Sequence, residues 1–146
     1  FQMSKLIVLD SSVKEEAWGK ISSDALDWLD KILSKTVTDK NILALHHPPV
    51  RCFSEVMDNI ALKNPDELEE LLLFYNNVQL IVCGHVHRSI FTSFAQSQIA
   101  FCPSVVFQYP IFKERGKSIP TGEQPGFHVH KFERKFGWST HLRLIT

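Results

Sequence analysis

The sequence predicts an α/β protein with a mixed β-sheet, helices outside it, and antiparallel strands toward the C-terminus. Short apolar runs at residues 5–9, 41–45 and 78–83 indicate buried strands. Amphipathic helical segments lie between these runs. Four further strand-like segments follow with no helix between them. This order is typical of a layered sheet that is covered by helices.

The first strand, residues 5–9, ends at the turn-forming cluster of residues 10–12. A helix is predicted from about residue 24 to residue 33, with Ser23 as its N-cap. Its apolar residues recur at helical spacing and give it one buried face. That face consists of Ala25, Trp28, Leu29, Ile32 and Leu33.

The second strand, residues 41–45, is followed by an irregular loop over residues 50–62 that contains one helical turn. The next helix begins at Asn64, which can act as its cap, with Pro65 at the first helical position. It ends at residues 76–77. Its predicted buried face consists of Leu68, Leu71, Leu72 and Tyr75.

The third strand, residues 78–83, starts the all-β part of the chain. Its further strands are predicted at residues 89–94, 99–102, 127–132 and 138–145. Residues 113–126 are rich in glycine, proline and charge, which predicts an exposed loop.

Composition excludes two function classes. The chain has 146 residues, of which 16 are basic and 16 acidic, so the basic excess typical of nucleic-acid binding is missing. No apolar run approaches the roughly 20 residues that span a membrane. The three cysteines lack C-x-x-C spacing, which favours free thiols and a cytoplasmic location.

Four histidines in two tight clusters carry the predicted chemistry. His46 and His47 directly follow one apolar strand, and His85 and His87 directly follow another. Ligands of open α/β sheets bind beyond the carboxyl ends of the strands, so two such loops from adjacent strands would converge. Neutral imidazole is the commonest nitrogen ligand of zinc, iron and manganese ions. The sequence therefore predicts a metal site, and we expect His46, His85 and His87 to point into one cleft.

The two blocks, HHPP at residues 46–49 and GHVH at residues 84–87, resemble the last two signature blocks of calcineurin-like metallophosphoesterases. Further likeness to bacterial class III cyclic-nucleotide phosphodiesterases runs through residues 6–11, Gly19, residues 26–29 and residues 102–104. The resemblance implies one half of a four-layer α/β/β/α sandwich. It also implies that residues 3–146 form the C-terminal part of a single domain, and we expect residues 1–2 to be a tag remnant.

By this resemblance, His46 and His85 ligate one divalent metal and His87 ligates a second, whereas His47 either supports these ligands or lies on the substrate side. The metals would be iron, manganese or zinc. The family's remaining ligands come from D-x-H, G-D and G-N-H blocks, none of which occurs in this sequence. We therefore expect weak metal binding and no catalysis by this chain alone.

The implied function is hydrolysis of 3',5'-cyclic nucleotides, cyclic AMP in particular, by the intact protein. The alternatives are another calcineurin-like phosphatase or diesterase, and a non-catalytic metal-binding or interaction module. No membrane and no nucleic-acid polymer is expected as a partner, whereas a homo-oligomer is. The homo-oligomer is expected because the strand at residues 5–9 would lack a neighbouring strand and present an unpaired edge.

Other polar and aromatic residues have two interpretations each. Residues 10–12 suggest a nucleophile or, by the resemblance, a loop near the site. His128 and His130 share one strand face, which indicates a metal role or, more commonly, a solvated face. Four aromatic residues of the C-terminal half indicate a base-stacking pocket or core packing. These aromatic residues are Phe101, Phe107, Tyr109 and Phe112.

Overall fold

The computed structural model describes residues 4–36, 40–111 and 120–146. Residues 1–2, Phe112 and the first half of the predicted loop at 113–126 lie outside the described residues. The strands are β1 Leu6–Leu9, β2 Asn41–Leu45, β3 Val78–Cys83, β4 Ile90–Phe94, β5 Ser97–Phe101, β6 Gly126–Glu133 and β7 Gly137–Leu144. The helices are α1 Ser23–Ser34, α2 Glu55–Asn59 and α3 Pro65–Tyr75. The predicted fold class is confirmed.

Five strands form one sheet in the order β1-β2-β3-β5-β4. Strands β1, β2, β3 and β5 are parallel, and β4 pairs antiparallel with β5. The apolar runs of β1, β2 and β3 are short and rich in branched residues, as expected of strands in a parallel sheet. Strand β1 is the edge of the sheet, next to β2.

The β4–β5 hairpin forms the antiparallel part of the five-stranded sheet. Its two-residue turn consists of Ala95 and Gln96, whose φ angles are 47° and 66°. Positive φ at both central positions defines the tight hairpin turn that matches the twist of the strands. Because β4 takes the outer edge, the hairpin returns β5 between β4 and β3, parallel to β3. The bounds of β2 and β3 are those predicted, and the bounds of the other strands differ from the predicted ones by one or two residues.

Helices α1 and α3 cover one face of the sheet through the core residues Leu29, Leu33, Leu68 and Leu72. The predicted buried face of α1 was wrong at Trp28, which is 45% exposed. The two helices are joined by a hydrogen bond, which the Tyr75 hydroxyl donates to Asp30 Oδ1 at 2.6 Å.

Both predicted helix caps need correction. The N-cap of α1 is Ser22, not Ser23, and its hydroxyl accepts a hydrogen bond from the Ala25 amide at 3.2 Å. Asn64 occupies the N-cap position of α3, but its side chain makes no capping bond. Its amide instead pairs with the backbone N–H and C=O of Ile21, at 3.0 and 2.9 Å. This pair ties the start of α3 to the segment that leads into α1.

The β6–β7 hairpin lies on the other face of the sheet. His128 of β6 stacks on Phe91 of β4, with ring centroids 5.2 Å apart. The hairpin does not cover β1, and the side chains of Leu6 and Val8 on this strand are 64% and 63% exposed. Among the described residues, no helix has the length and apolarity needed to cross a membrane.

The packing of α3 predicts the effect of truncating its leucines. Leu68 is fully buried, so Leu68→Ala should lower the free energy of unfolding by about 2–5 kcal/mol, because it leaves a cavity. Leu73 on the same helix is 44% exposed, and Leu73→Ala should cost less than about 1 kcal/mol. Urea denaturation of both variants measures the difference. Equal losses would contradict this packing of α3.

Candidate metal centre

The histidine clusters meet because β2 and β3 are adjacent parallel strands. Their register pairs Leu45 with Cys83, the last residue of each strand. The pairing continues one residue further, since the Gly84 amide donates to the His46 carbonyl at 3.2 Å. Both loops therefore leave the sheet side by side, at the carboxyl ends of β2 and β3.

The structure brings three of the four predicted histidines together. His46, His47 and His85 each offer a ring nitrogen, and these nitrogens lie within 4.8 Å of one another. His85 Nδ1 and His46 Nε2 are 3.2 Å apart and share a hydrogen bond. Two imidazole nitrogens on one tetrahedral ion would be about 3.3 Å apart, for bonds of about 2.0–2.1 Å. The His46–His85 pair therefore has the spacing of two ligands of one ion.

An unusual backbone conformation presents His85 and His87. The Val86 amide donates to the Gly84 carbonyl at 2.8 Å, which closes a three-residue turn around His85. The φ angles of His85 and His87 are 69° and 54°, in the left-handed region that non-glycine residues rarely adopt. Val86 between them is buried and anchors the turn. Such conformations persist where the surrounding structure holds them, commonly at functional sites.

Two glycines provide the space that the histidine rings occupy. A Cβ on Gly84 would lie 3.1 Å from His46 Nδ1. A Cβ on Gly19 would lie 2.3 Å from both Cγ and Nδ1 of His47, which is a severe clash. Glycine is therefore required at position 19 by close approach of the His47 ring.

His47 is buried and held by Ser11. The Ser11 hydroxyl lies 2.9 Å from His47 Nδ1 and accepts a hydrogen bond from the His47 backbone amide at 3.3 Å. The sequence allows two interpretations of residues 10–12, which are a nucleophile and a loop near the site. Ser11 is in contact with the cluster, and 36 residues separate the two partners, so no local pattern could reveal the contact.

His87 lies outside this three-histidine group. Its Nδ1 donates to the Phe107 carbonyl at 3.2 Å, so its Nε2 is free to accept or ligate. A histidine that donates its second N–H to a backbone carbonyl is typical of metal ligands. The ring also packs against Phe107 and Tyr109, with centroids 4.9 and 5.2 Å away. Of the other predicted aromatics, Phe101 is buried in the core.

The site favours neutral imidazoles. Burial lowers the pKa of His85 to about 4, and the charges of the three neighbouring histidines add to this shift. Burial is also the first cause that lowers the pKa of His46 and of His47. Neutral imidazole is the form that binds a metal, so His46 and His85 are ready to ligate at neutral pH.

The alternative histidine pair on β6 is not a solvated face. His128 Nε2 lies 2.8 Å from the Ser89 hydroxyl, and His130 Nδ1 lies 2.9 Å from the Thr140 hydroxyl. Both rings face the five-stranded sheet because their neighbours on β6 alternate outward. Both histidines are half-buried; His128 contacts the five-stranded sheet through Phe91, whereas His130 bonds to Thr140 within the hairpin.

The donor set fits one metal ion better than two. Within the described ranges, the His46–His47–His85 group is the only set of three or more metal-ligating side chains close enough to share an ion. It contains no carboxylate to bridge a second ion. The carboxylate of Asp10, next to Ser11, accepts a hydrogen bond from the Ser12 amide and is exposed.

Comparison with known proteins identifies a family. The sequence profile of calcineurin-like phosphoesterases matches residues 7–89. A probable glycerophosphodiester phosphodiesterase of Arcobacter nitrofigilis is 33% identical over 97% of this chain and 52% of its own length. A 3',5'-cyclic-nucleotide phosphodiesterase of Nostoc is 29% identical over 95% of this chain and 52% of its own length. The chain thus spans about half the length of these curated relatives.

Solved structures agree on the fold. A dimetal phosphatase from Danio rerio matches 64% of this chain and 30% of its own chain, with a TM-score of 0.53 and 21% identity. GAP50, described as the anchor in the inner membrane complex of Plasmodium, matches 95% of this chain and 44% of its own. Its TM-score is 0.69 and its identity 19%. At such identities these likenesses show the calcineurin-like fold alone.

The contact between Gly19 and His47 predicts a sharp glycine effect. Gly19→Ala should displace the His47 ring, because its new Cβ would overlap that ring. We expect a loss of about 1–3 kcal/mol in unfolding free energy and altered histidine NMR signals. Gly122→Ala is the matched control, since no atom of the described residues lies within 4 Å of a Cβ there. Identical behaviour of the two variants would contradict the placement of His47.

Proposed function

The chain belongs to the calcineurin-like phosphoesterases, and from this premise we propose that it carries half of the metal centre of a phosphodiesterase. The proposal rests chiefly on one observation, the ligand spacing between His46 and His85 at the carboxyl ends of β2 and β3. In the complete protein, two divalent ions of iron, manganese or zinc would be bound. His46 and His85 would hold one ion, and His87 the other.

When bound, such a pair of ions would activate a water molecule for attack and polarise the phosphoryl oxygens. The residues of this chain orient the histidine side chains of the site. The turn at residues 84–87 fixes the directions of His85 and His87. The Phe107 carbonyl holds the His87 ring with its proton on Nδ1. His47 would lie on the substrate side of the His46–His85 pair.

A phosphodiester is the substrate class that we propose. Relatives are named as phosphodiesterases of cyclic nucleotides and of glycerophosphodiesters, which are both diesters. The exposed side chains of Val105 and Val106 follow β5 near His87 and offer an apolar rim for a nucleoside. We therefore propose cyclic nucleotides, cyclic AMP in particular, as the substrate. The free cysteines at positions 52, 83 and 102 favour a cytoplasmic location.

The alternative of a non-catalytic metal-binding module also draws on the structure. The three-histidine group contains no carboxylate, and it suffices for a single ion. This alternative predicts metal binding without turnover in the complete protein.

Activity and metal removal test the proposal together. The complete protein, loaded with manganese, iron or zinc, should hydrolyse cyclic AMP and lose that activity in EDTA. His85→Ala should lower kcat by about 100-fold or more, because it removes a ligand. His141→Ala is the control, since His141 is exposed on β7 and bonds only to Ser139 among the described residues. This chain alone should show no turnover.

Two results would contradict the proposal. One is full activity in the His85→Ala protein. The other is a complete protein that binds metal and hydrolyses no cyclic nucleotide, glycerophosphodiester or phosphomonoester. Turnover of glycerophosphodiesters without cyclic AMP would keep the diesterase class and replace the nucleotide.

The open side of β1 supports the proposed self-association of this chain. Leu6 and Val8 lie exposed on an edge strand, where a second copy can pair its backbone and cover both side chains. We expect a dimer or larger oligomer by light scattering at micromolar concentration. Val8→Lys should shift it to a monomer, whereas the exposed Val106→Lys, at the far end of the sheet, should not. A monomeric parent chain would rule out this contact.

A further inference from the structure

We infer that Ser11 is a positioning residue that holds the proton of His47 on Nε2. His47 then serves the centre as a hydrogen-bond donor and not as a metal ligand. The proton position follows from the structure of this chain, and only the role toward substrate rests on the proposed function. The inference divides the three-histidine group into two ligands and one donor.

The bonding of Ser11 fixes the direction of its contact with His47. Ser11 is 1% exposed, and its oxygen already accepts the His47 backbone N–H at 3.3 Å. A hydroxyl has a single proton to donate. Among the hydrogen bonds of the described residues, the one acceptor next to this hydroxyl is His47 Nδ1, at 2.9 Å. The hydroxyl therefore donates, Nδ1 accepts, and the proton of the neutral ring is on Nε2.

The opposite arrangement would leave a buried group without a partner. The backbone carbonyls of Ala17 and Ser11 lie near His47. Neither makes a hydrogen bond to the ring with regular geometry in the described chain. If Nδ1 carried the proton, the buried Ser11 hydroxyl would have no acceptor, which is unfavourable.

His87 shows the contrasting case within the same loop cluster. A carbonyl oxygen can only accept, so the Phe107 carbonyl holds the proton of His87 on Nδ1. That leaves the Nε2 lone pair of His87 free for a metal. The two histidines thus have opposite partners at Nδ1, a hydroxyl donor and a carbonyl acceptor, so the free Nε2 carries the proton in His47 and the lone pair in His87.

Gly19 completes the support of His47. The absence of a side chain lets the ring lie against the backbone of residue 19 while its Nδ1 contacts Ser11. The ring is fixed from two sides, with centroids 4.9 Å from His46 and 4.7 Å from His85. A fixed N–H beside the ligand pair is suited to bind an oxygen of the phosphoryl group as it gains negative charge.

NMR of the metal-free chain tests the proton position directly. In nitrogen-15 labelled protein at about pH 8, the ring nitrogen shifts should show His47 with its proton on Nε2 and His87 with its proton on Nδ1. Ser11→Ala should move the His47 pattern toward a mixture of both forms. Ser12→Ala is the matched control, because Ser12 is exposed and should leave the pattern unchanged. A parent spectrum with the His47 proton on Nδ1 overturns the inference.

Zinc titration of the same chain gives a second readout. His46→Ala and His85→Ala should each weaken zinc binding by about tenfold or more, because each removes a ligand. His47→Ala should weaken it by less than about threefold, because a protonated Nε2 is not a ligand. An equal loss in all three variants overturns the inference. Failure of the proposed function would appear instead as absent turnover in the complete protein, with both readouts intact.

Discussion

The parallel pairing of β2 with β3 is the constraint on which the site depends. Leu43 and Ile81 are fully buried partners in that register, so the core fixes which residues stand opposite each other. A slip by one residue would turn these side chains away from the helices, at a large cost in buried apolar area. Core packing therefore determines the height at which His46 and His85 leave the sheet, and with it their separation.

Much of the fold was predictable, because apolar runs and helical periodicity report burial directly. The β4–β5 hairpin was not. Tight turns with two positive φ angles favour Asn-Gly or Gly-Gly, whereas Ala95 and Gln96 are poor candidates for them. Its two-residue loop is therefore enforced by the strands on either side. The α1 cap was shifted by one residue because Ser22 and Ser23 offer the same hydroxyl, and only backbone geometry distinguishes them.

The candidate site was predictable where its functional side chains belong to short runs of consecutive residues. The blocks at residues 46–49 and 84–87 locate the histidines, and the strand order brings His46 and His85 together. The supports of His47 depend on contacts across the sequence, since Ser11 and Gly19 reach it only in the folded chain. A serine and a glycine in a polar loop have no special pattern of their own. They matter because Gly19 leaves room for the ring of His47 and Ser11 fixes the position of its proton.

The same burial that assembles the histidines makes charge on them unfavourable. A proton on any one ring repels protons on its neighbours and loses hydration, which lowers the pKa of His85 most strongly. A divalent ion would resolve this conflict in another way, because the neutral lone pairs of its ligands would converge on one positive charge. The left-handed backbone at His85 and His87 has a conformational cost that packing around Val86 must offset. Rings that are crowded, neutral and held on a constrained turn are therefore prepared for an ion before it binds, and binding then requires little rearrangement.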